Sequence, residues 1–162
     1  MTIESSELFG IHSECHKPTG VEESTILNFY SDQEENLVTT TVNILSVYII
    51  CDDKLELVEE FELWGKICSI CKVRFAGAPR DSILLSFEEA KCSIVEYEPE
   101  TETLQNVSMH FFQEETLKHG FRKMNALPLA RVDPFQRCAS VLVYGNHFAI
   151  LPLRYNPLPL HS

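Results

Sequence analysis

The sequence predicts an all-β chain, and three observations carry that prediction: hairpins recur, their strands are apolar on both faces, and their spacing is nearly regular. The central hairpin lies between Arg80 and Glu98. Ser82–Phe87 and Lys91–Tyr97 read as strands, joined by Glu88, Glu89 and Ala90, a hairpin-length connection. Strand side chains alternate, so Ile83, Leu85 and Phe87 point one way and Leu84 the other, while Cys92 and Ile94 oppose Val95 and Tyr97. A hairpin apolar on both faces must be covered on both, whereas a sheet with one wet face alternates cleanly. The unit recurs at Asn36–Thr40 with Ile44–Ile50, and at Cys138–Tyr144 with His147–Leu151. Aligned on their second strands, Leu45, Cys92 and Phe148 share one position, at spacings of 47 and 56 residues. A four-stranded propeller blade takes about 40–50 residues. The fold this gives is an incomplete β-propeller, two to three four-stranded antiparallel blades in an arc that does not close. A β-sandwich of three similar hairpins is the rival reading.

Taken in order, residues 1–23 form a polar leader in which Pro18 and Gly20 mark a turn. Ser24–Tyr30 is the first strand, followed by the acidic loop Ser31–Glu35 and the first hairpin. Cys51–Lys54 turns into Leu55–Leu63, which is read as a strand with Leu55, Leu57, Glu59, Phe61 and Leu63 on one face, although Leu and Glu also suit a helix. Trp64-Gly65 breaks the chain, Lys66–Phe75 resumes it as an inner strand, and Ala76–Pro79 leads into the central hairpin. After the acidic turn at Glu98–Glu102, Thr103–Phe112 alternates Val107, Met109 and Phe111 against Ser108 and His110, as an outer, half-exposed strand does. Gln113–Gly120 is a polar loop and Leu129–Val132 another inner strand. Gly145-Asn146 is the two-residue turn of the third hairpin, because such turns need positive φ. The expected blades are therefore at about 24–63, 66–112 and 129–153, the third lacking its outer strand. Residues 154–162 are an irregular tail in which Pro157 and Pro159 cannot serve a strand ladder.

Composition bounds the function. The chain has 162 residues, the length of one domain, and 44% are hydrophobic, enough for a core. No apolar run approaches the roughly 18 residues a membrane span requires. Met1–Glu7 is acidic and has no positively charged start before an apolar stretch, so a secretory signal is not expected. The six cysteines then read as reduced thiols, and the sequon at Asn106-Val107-Ser108 carries no meaning. With 24 acidic against 13 basic residues the net charge is -11, which disfavours a phosphate-binding surface.

The motifs offer little chemistry. Cys68-Ser69-Ile70-Cys71 has the spacing of a redox pair or of half a zinc site, and His12, Cys15 and His16 are the residues able to complete four ligands. Cys68 and Cys71 fall inside a strand, however, where residues three apart point to opposite faces, while a thioredoxin-type pair opens a helix. Buried structural thiols are the expectation, with neither bound zinc nor structure lost to a chelator. There is no GxSxG, phosphate-binding glycine loop or HExxH. Phe29-Tyr30 and Phe111-Phe112 have the chemistry of base-stacking platforms, but no Lys/Arg cluster surrounds them, and strand aromatics usually belong to a core. No catalytic, cofactor-binding or metal site is expected.

Phe75–Tyr97, read as Phe-Ala-Gly-Ala-Pro-Arg-Asp-Ser-Ile-Leu-Leu-Ser-Phe-Glu-Glu-Ala-Lys-Cys-Ser-Ile-Val-Glu-Tyr, closely resembles the N-terminal part of the largest subunit of the cleavage and polyadenylation specificity factor. Arg131-Val132-Asp133-Pro134, Arg137-Cys138-Ala139 and Val143-Tyr144-Gly145 resemble the family's next blade, and Lys17–Gly20 with Asn36–Val38 its start. The resemblance runs from about His16 to Leu153; Tyr155–Ser162 do not match it, and the turn before Leu55 is shorter than the family's. The large subunit of the damaged-DNA-binding complex, a ubiquitin-ligase adaptor, is a more distant relative. Family members are longer scaffolds built from three propellers and a helical domain. The resemblance implies a nuclear, non-catalytic scaffold in pre-mRNA 3′-end processing. It would hold WD-repeat and zinc-finger subunits and reach RNA only indirectly through them. A ubiquitin-ligase or DNA-repair adaptor and a thiol oxidoreductase using Cys68 and Cys71 are the alternatives.

Fewer than three complete blades cannot close a ring, so an end face of the arc, carrying Leu142, Val141 or Val143, is expected to lie uncovered and to promote association.

Overall fold

The computed structural model describes residues 13, 15–88, 90–113 and 127–153, and every described element is a β-strand. The described residues contain eleven strands in three antiparallel sheets. The first contains β1 (Glu23–Leu27), β2 (Asn36–Thr41), β3 (Ile44–Cys51) and β4 (Lys54–Glu62), in sequence order. The second contains β5 (Ile67–Val73), β6 (Ser82–Phe87), β7 (Lys91–Glu98) and β8 (Thr103–Phe111), again in order. The third contains β9 (Ala130–Val132), β10 (Cys138–Val143) and β11 (His147–Pro152). β5 touches both β1 and β9, so the first strand of each sheet lies innermost and the sheets radiate outward from this line. That is the arrangement of propeller blades, here an arc of three.

The central hairpin forms the middle of the arc, and all six residues of β6 are buried. Its alternation feeds two cores. Ile83, Leu85 and Phe87 join Leu27, Phe29, Val38, Leu45, Val47, Ile67, Ile70 and Val95 in a core between the first and second sheets. Leu84 joins Val73, Phe75, Cys92, Ile94, Ala139, Val141 and Val143 in a core between the second and third. Phe29 sits in an aromatic cluster that fastens the first core, with ring centroids 5.0 Å from Tyr30 and 5.5 Å from Tyr97.

Polar stitches complement these cores. Asp81, buried between sheets, accepts the Asn28 amide at 2.8 Å and an Arg74 Nη1 bond at 3.1 Å, while its own amide donates to the Asn28 carbonyl at 3.0 Å. This exchange draws the chain out of the ladder, so the first strand ends at Leu27 instead of Tyr30. The buried carboxamide of Asn36 then receives the Phe29 and Tyr30 amides at 3.2 and 3.3 Å. A second stitch is a hydroxyl relay. Ala130 N–H donates to Ser69 Oγ at 2.9 Å, the Ser69 and Ser86 hydroxyls lie 2.6 Å apart, and Ser86 donates to the Pro128 carbonyl at 2.5 Å. Since the Ser86 proton is committed to Pro128, Ser69 is the donor of the middle bond, and all bonds run in one direction.

Two expectations are corrected by bulges and turns. Val47 pairs with Glu59 but Tyr48 pairs with Leu57, leaving Val58 as an extra residue. A one-residue shift exchanges faces. Phe61 and Leu63 therefore pack on the first core, while Leu55 and Leu57 lie exposed on the other face and do not share one with them. In the third hairpin the positive φ values fall on Tyr144 (52°) and Gly145 (71°), one residue earlier than the Gly145-Asn146 turn expected, and Asn146 N–H closes the turn on the Val143 carbonyl.

Ser69→Ala and Ser86→Ala each leave a buried backbone group at residues 128–130 without its partner. Each is expected to lower stability to urea unfolding by about 1–3 kcal/mol, and the double variant by less than the sum because the two hydroxyls form one network.

Candidate interaction surface

Cys68 and Cys71 are free cysteines whose thiols face different partners. Cys68 is the extra residue of a bulge between Ile67 and Ser69, and its thiol is aimed at the Lys66 carbonyl, 3.9 Å away. Cys71 faces the third sheet instead and donates to the Ala130 carbonyl at 3.2 Å. Burial pushes the Cys68 thiol up to about 11, with Glu88 adding to the rise. Burial also raises Cys71 despite the opposing charge of Arg131, and raises Cys92 to about 11. Attack on disulfides and metal binding both need the thiolate. Cys15 and His16 are exposed, and among the described residues no three His, Cys, Asp or Glu side chains gather to hold a metal ion; His12 lies outside those residues. Of the stacking candidates, Phe29 is buried and Tyr30 packs on the same core, whereas Phe111 is exposed.

What the structure does display is apolar sheet. On the first sheet, Ile26, Leu37, Tyr48 and Leu57 are successive cross-strand partners and make one row across all four strands. Ile50 and Leu55 pair beside it, both more than half exposed. On the third sheet, Leu142 pairs with Phe148 and Ser140 with Ile150, which are 72% and 60% exposed. Leu142 thus lies on the uncovered face as expected, while Val141 and Val143 point into the second core. No arrangement of residues in the sequence pointed to the row on the first sheet, because it depends on the register set by the bulge at Val58.

The segments that carried the family resemblance brace the sheets. Asp133 holds Arg137 in a two-pronged ion pair at 2.7 and 3.1 Å and accepts the Arg137 amide, which keeps the Asp133 carboxyl below its ordinary value. Gln136, at φ 57°, accepts the Arg74 amide at 2.8 Å and so ties the loop after β5 to the third sheet.

Three radial sheets, innermost first strands and outward-facing apolar ends define a β-propeller arc. Comparison with known proteins narrows this. The family described as RSE1/DDB1/CPSF1 first beta-propeller matches residues 20–158, ending beyond Leu153 and within the segment expected not to match. The chain belongs to this family. It is 34% identical over 167 residues to cleavage and polyadenylation specificity factor subunit 1 of Drosophila melanogaster, covering 91% of this chain and 12% of the fly protein. It is 43% identical over 110 residues to the probable subunit 1 of Caenorhabditis elegans, covering 67% of this chain and 8% of the worm protein. Protein CFT1 of Kluyveromyces lactis is 30% identical over 148 residues, covering 90% and 11%. The chain thus spans about an eighth or less of the length of these relatives.

Two outcomes follow. In the native state at pH 8, iodoacetamide is expected to label the exposed Cys15 and Cys51 within minutes. Cys68 and Cys92, whose thiols burial holds almost wholly protonated at that pH, are expected to react only after denaturation, as read by peptide mass spectrometry. The paired variant Leu57→Lys and Ile150→Lys is expected to change stability by no more than about 0.5 kcal/mol while reducing binding of an apolar dye. A larger loss of stability would mean that these faces are packed.

Proposed function

We propose that this chain is a non-catalytic scaffold segment of the nuclear machinery that cleaves and polyadenylates pre-mRNA 3′ ends. The observation that carries the reading is 34% identity across 91% of the chain to a cleavage and polyadenylation specificity factor subunit, on a fold built from the same propeller. Burial raises the thiols of Cys68, Cys71 and Cys92, which supports a structural role for them. Its open end faces are where further sheets of such a scaffold would stack. In this reading, protein partners include WD-repeat and zinc-finger subunits of the complex, and RNA is reached through them. A net charge of -11 argues against this segment gripping RNA phosphates itself.

Affinity purification of the tagged chain from nuclear extract, with mass spectrometry of what it retains, tests the reading. Enrichment of polyadenylation-complex subunits is expected. Enrichment of a cullin ligase instead would overturn it. The purified chain is also expected to bind an AAUAAA oligonucleotide no better than its scrambled counterpart at physiological salt. Sub-micromolar discrimination between the two would place RNA reading in this segment.

A further inference from the structure

We propose that the outer edge of the second sheet, strand β8 together with the groove beside it, is a docking site for an extended, apolar, basic-flanked segment of a partner protein, which adds to the sheet as a further strand. The inference is independent of the pathway in which the chain acts.

Two outer edges in the arc differ in a way that sets β8 apart. β4 carries Lys54, Glu56, Glu59, Glu60 and Glu62 among its nine residues, the charge density by which edges repel added strands. β8 is also nine residues long and has no Asp, Glu, Lys or Arg. Among the described residues no strand pairs with its free side. β11 is uncharged as well, but its exposed Phe148 and Ile150 lie on the open end face of the arc and not along a sheet edge beside a groove of the second sheet. β8 does border a groove, of about 280 Å³, between the face of the second sheet and the turn leaving β4. Leu63, Trp64, Phe87, Met109 and Phe111 line it, with Lys91 at its side donating to the Trp64 carbonyl. Trp64 is 94% exposed and Phe111 61%, an unusual display of aromatic surface.

Backbone geometry points the same way. The Phe112 amide donates to the Ala90 carbonyl, and Lys91 pairs with Phe111, Cys92 with His110 and Ser93 with Met109. In an antiparallel ladder, hydrogen-bonded and non-bonded pairs alternate. Phe112 and His110 therefore bond inward to β7, while the N–H and C=O groups of Met109 and Phe111 point outward, away from the sheet. A strand paired to those outward groups places the residues opposite Met109 and Phe111 on the same face as those two side chains, over the groove. Affinity from the main chain and specificity from alternate side chains are the two parts of strand addition. Charge sets the flank. β8 begins directly after a turn that carries Glu100 and Glu102 and that follows Glu98 at the end of β7, so the C-terminal end of an antiparallel guest lies near an acidic corner. A basic end is attracted there and an acidic end repelled.

The probe is a fluorescein-labelled nine-residue peptide, seven residues of alternating valine and threonine followed by two lysines, titrated into the full 162-residue chain and followed by fluorescence anisotropy. Saturable binding is expected. Replacing the terminal lysines by glutamates is expected to weaken it roughly tenfold. N-methylating the two valines set opposite Met109 and Phe111 removes two main-chain donors and is expected to weaken it by at least about tenfold on the unaltered protein. Met109→Pro, which deletes an outward N–H that proline tolerates at an edge, is expected to do the same without changing the melting temperature of the chain. No binding up to millimolar peptide would overturn the proposal. So would equal binding of the lysine and glutamate peptides, or indifference to N-methylation. A dimer of the chain that Met109→Pro dissociates would assign the edge to a second copy instead, and would equally overturn it.

Discussion

A sheet that is apolar on both faces has to be sandwiched, and this constraint on the second sheet shapes the rest of the chain. β6 has no solvent-facing side at all: Ile83, Leu85 and Phe87 are committed to one core and Leu84 to the other. The first and third sheets therefore act as its two covers. Each cover is itself a sheet with a second face, and the covering requirement passes outward to them. Ile26, Leu37, Tyr48 and Leu57 on one end, and Leu142, Phe148 and Ile150 on the other, are where it stands unmet within the described residues. At about 25 cal/mol per Å², an uncovered apolar face of some 400 Å² forgoes on the order of 10 kcal/mol. That is as large as the whole stability of a typical domain. Covering these faces is accordingly worth more than any single stitch within the arc.

Packing apolar faces together leaves the inner strands with a second problem, because their polar atoms are removed from water. Near β9 the solution is dense. The Pro128 carbonyl takes a proton from Ser86, the Ala130 amide gives one to Ser69, and the Ala130 carbonyl takes one from Cys71. Serine and cysteine are the residues small enough to stand between two sheets while still offering a donor. This gives the second cysteine of the CxxC spacing a structural task, holding the third sheet to the second, and the burial that this position entails is what raises its thiol.

Much of this was legible in the sequence. The hairpins at Ser82–Phe87 and Lys91–Tyr97, at residues 36–50 and at 138–151 announce themselves through alternation, which depends only on neighbours along the chain. The pairing of strands within each blade and the alternation of faces in β10, with Leu142 opposite Val141 and Val143, follow from the same pattern. What stayed hidden depends on contacts far apart in sequence. The bulge at Val58 moves Leu55 and Leu57 to the open face, and nothing local to β4 distinguishes that strand from a regular one. Asp81 ends the first strand from 53 residues away by taking the Asn28 amide. The shift of the turn to Tyr144-Gly145 puts an aromatic residue at positive φ, against local preference. In each case tertiary structure overrides a local rule, and single-chain patterning does not register it.

The residues that announce the family are of the same hidden kind. Asp81 and Ser86 in the segment 75–97 join sheets to one another, and Asp133 and Arg137 brace the turn before β10. A donor or carboxylate buried between two sheets, as at Asp81 or Ser86, needs a hydrogen-bond partner, and few residue types supply one. A likeness carried by such residues reports the architecture. It says little about the surface, where many sequences serve. The features that distinguish this chain as an interacting body lie elsewhere, in the contrast between a heavily charged edge at β4 and an uncharged one at β8, and in Trp64 and Phe111 standing exposed beside a groove. Charge on an edge strand is a device against added strands, so its loss at one edge and retention at the other is a physical difference in what the two edges accept. Architecture makes the chain an arc of propeller blades, and the uncharged edge at β8 is where that arc has room for another strand.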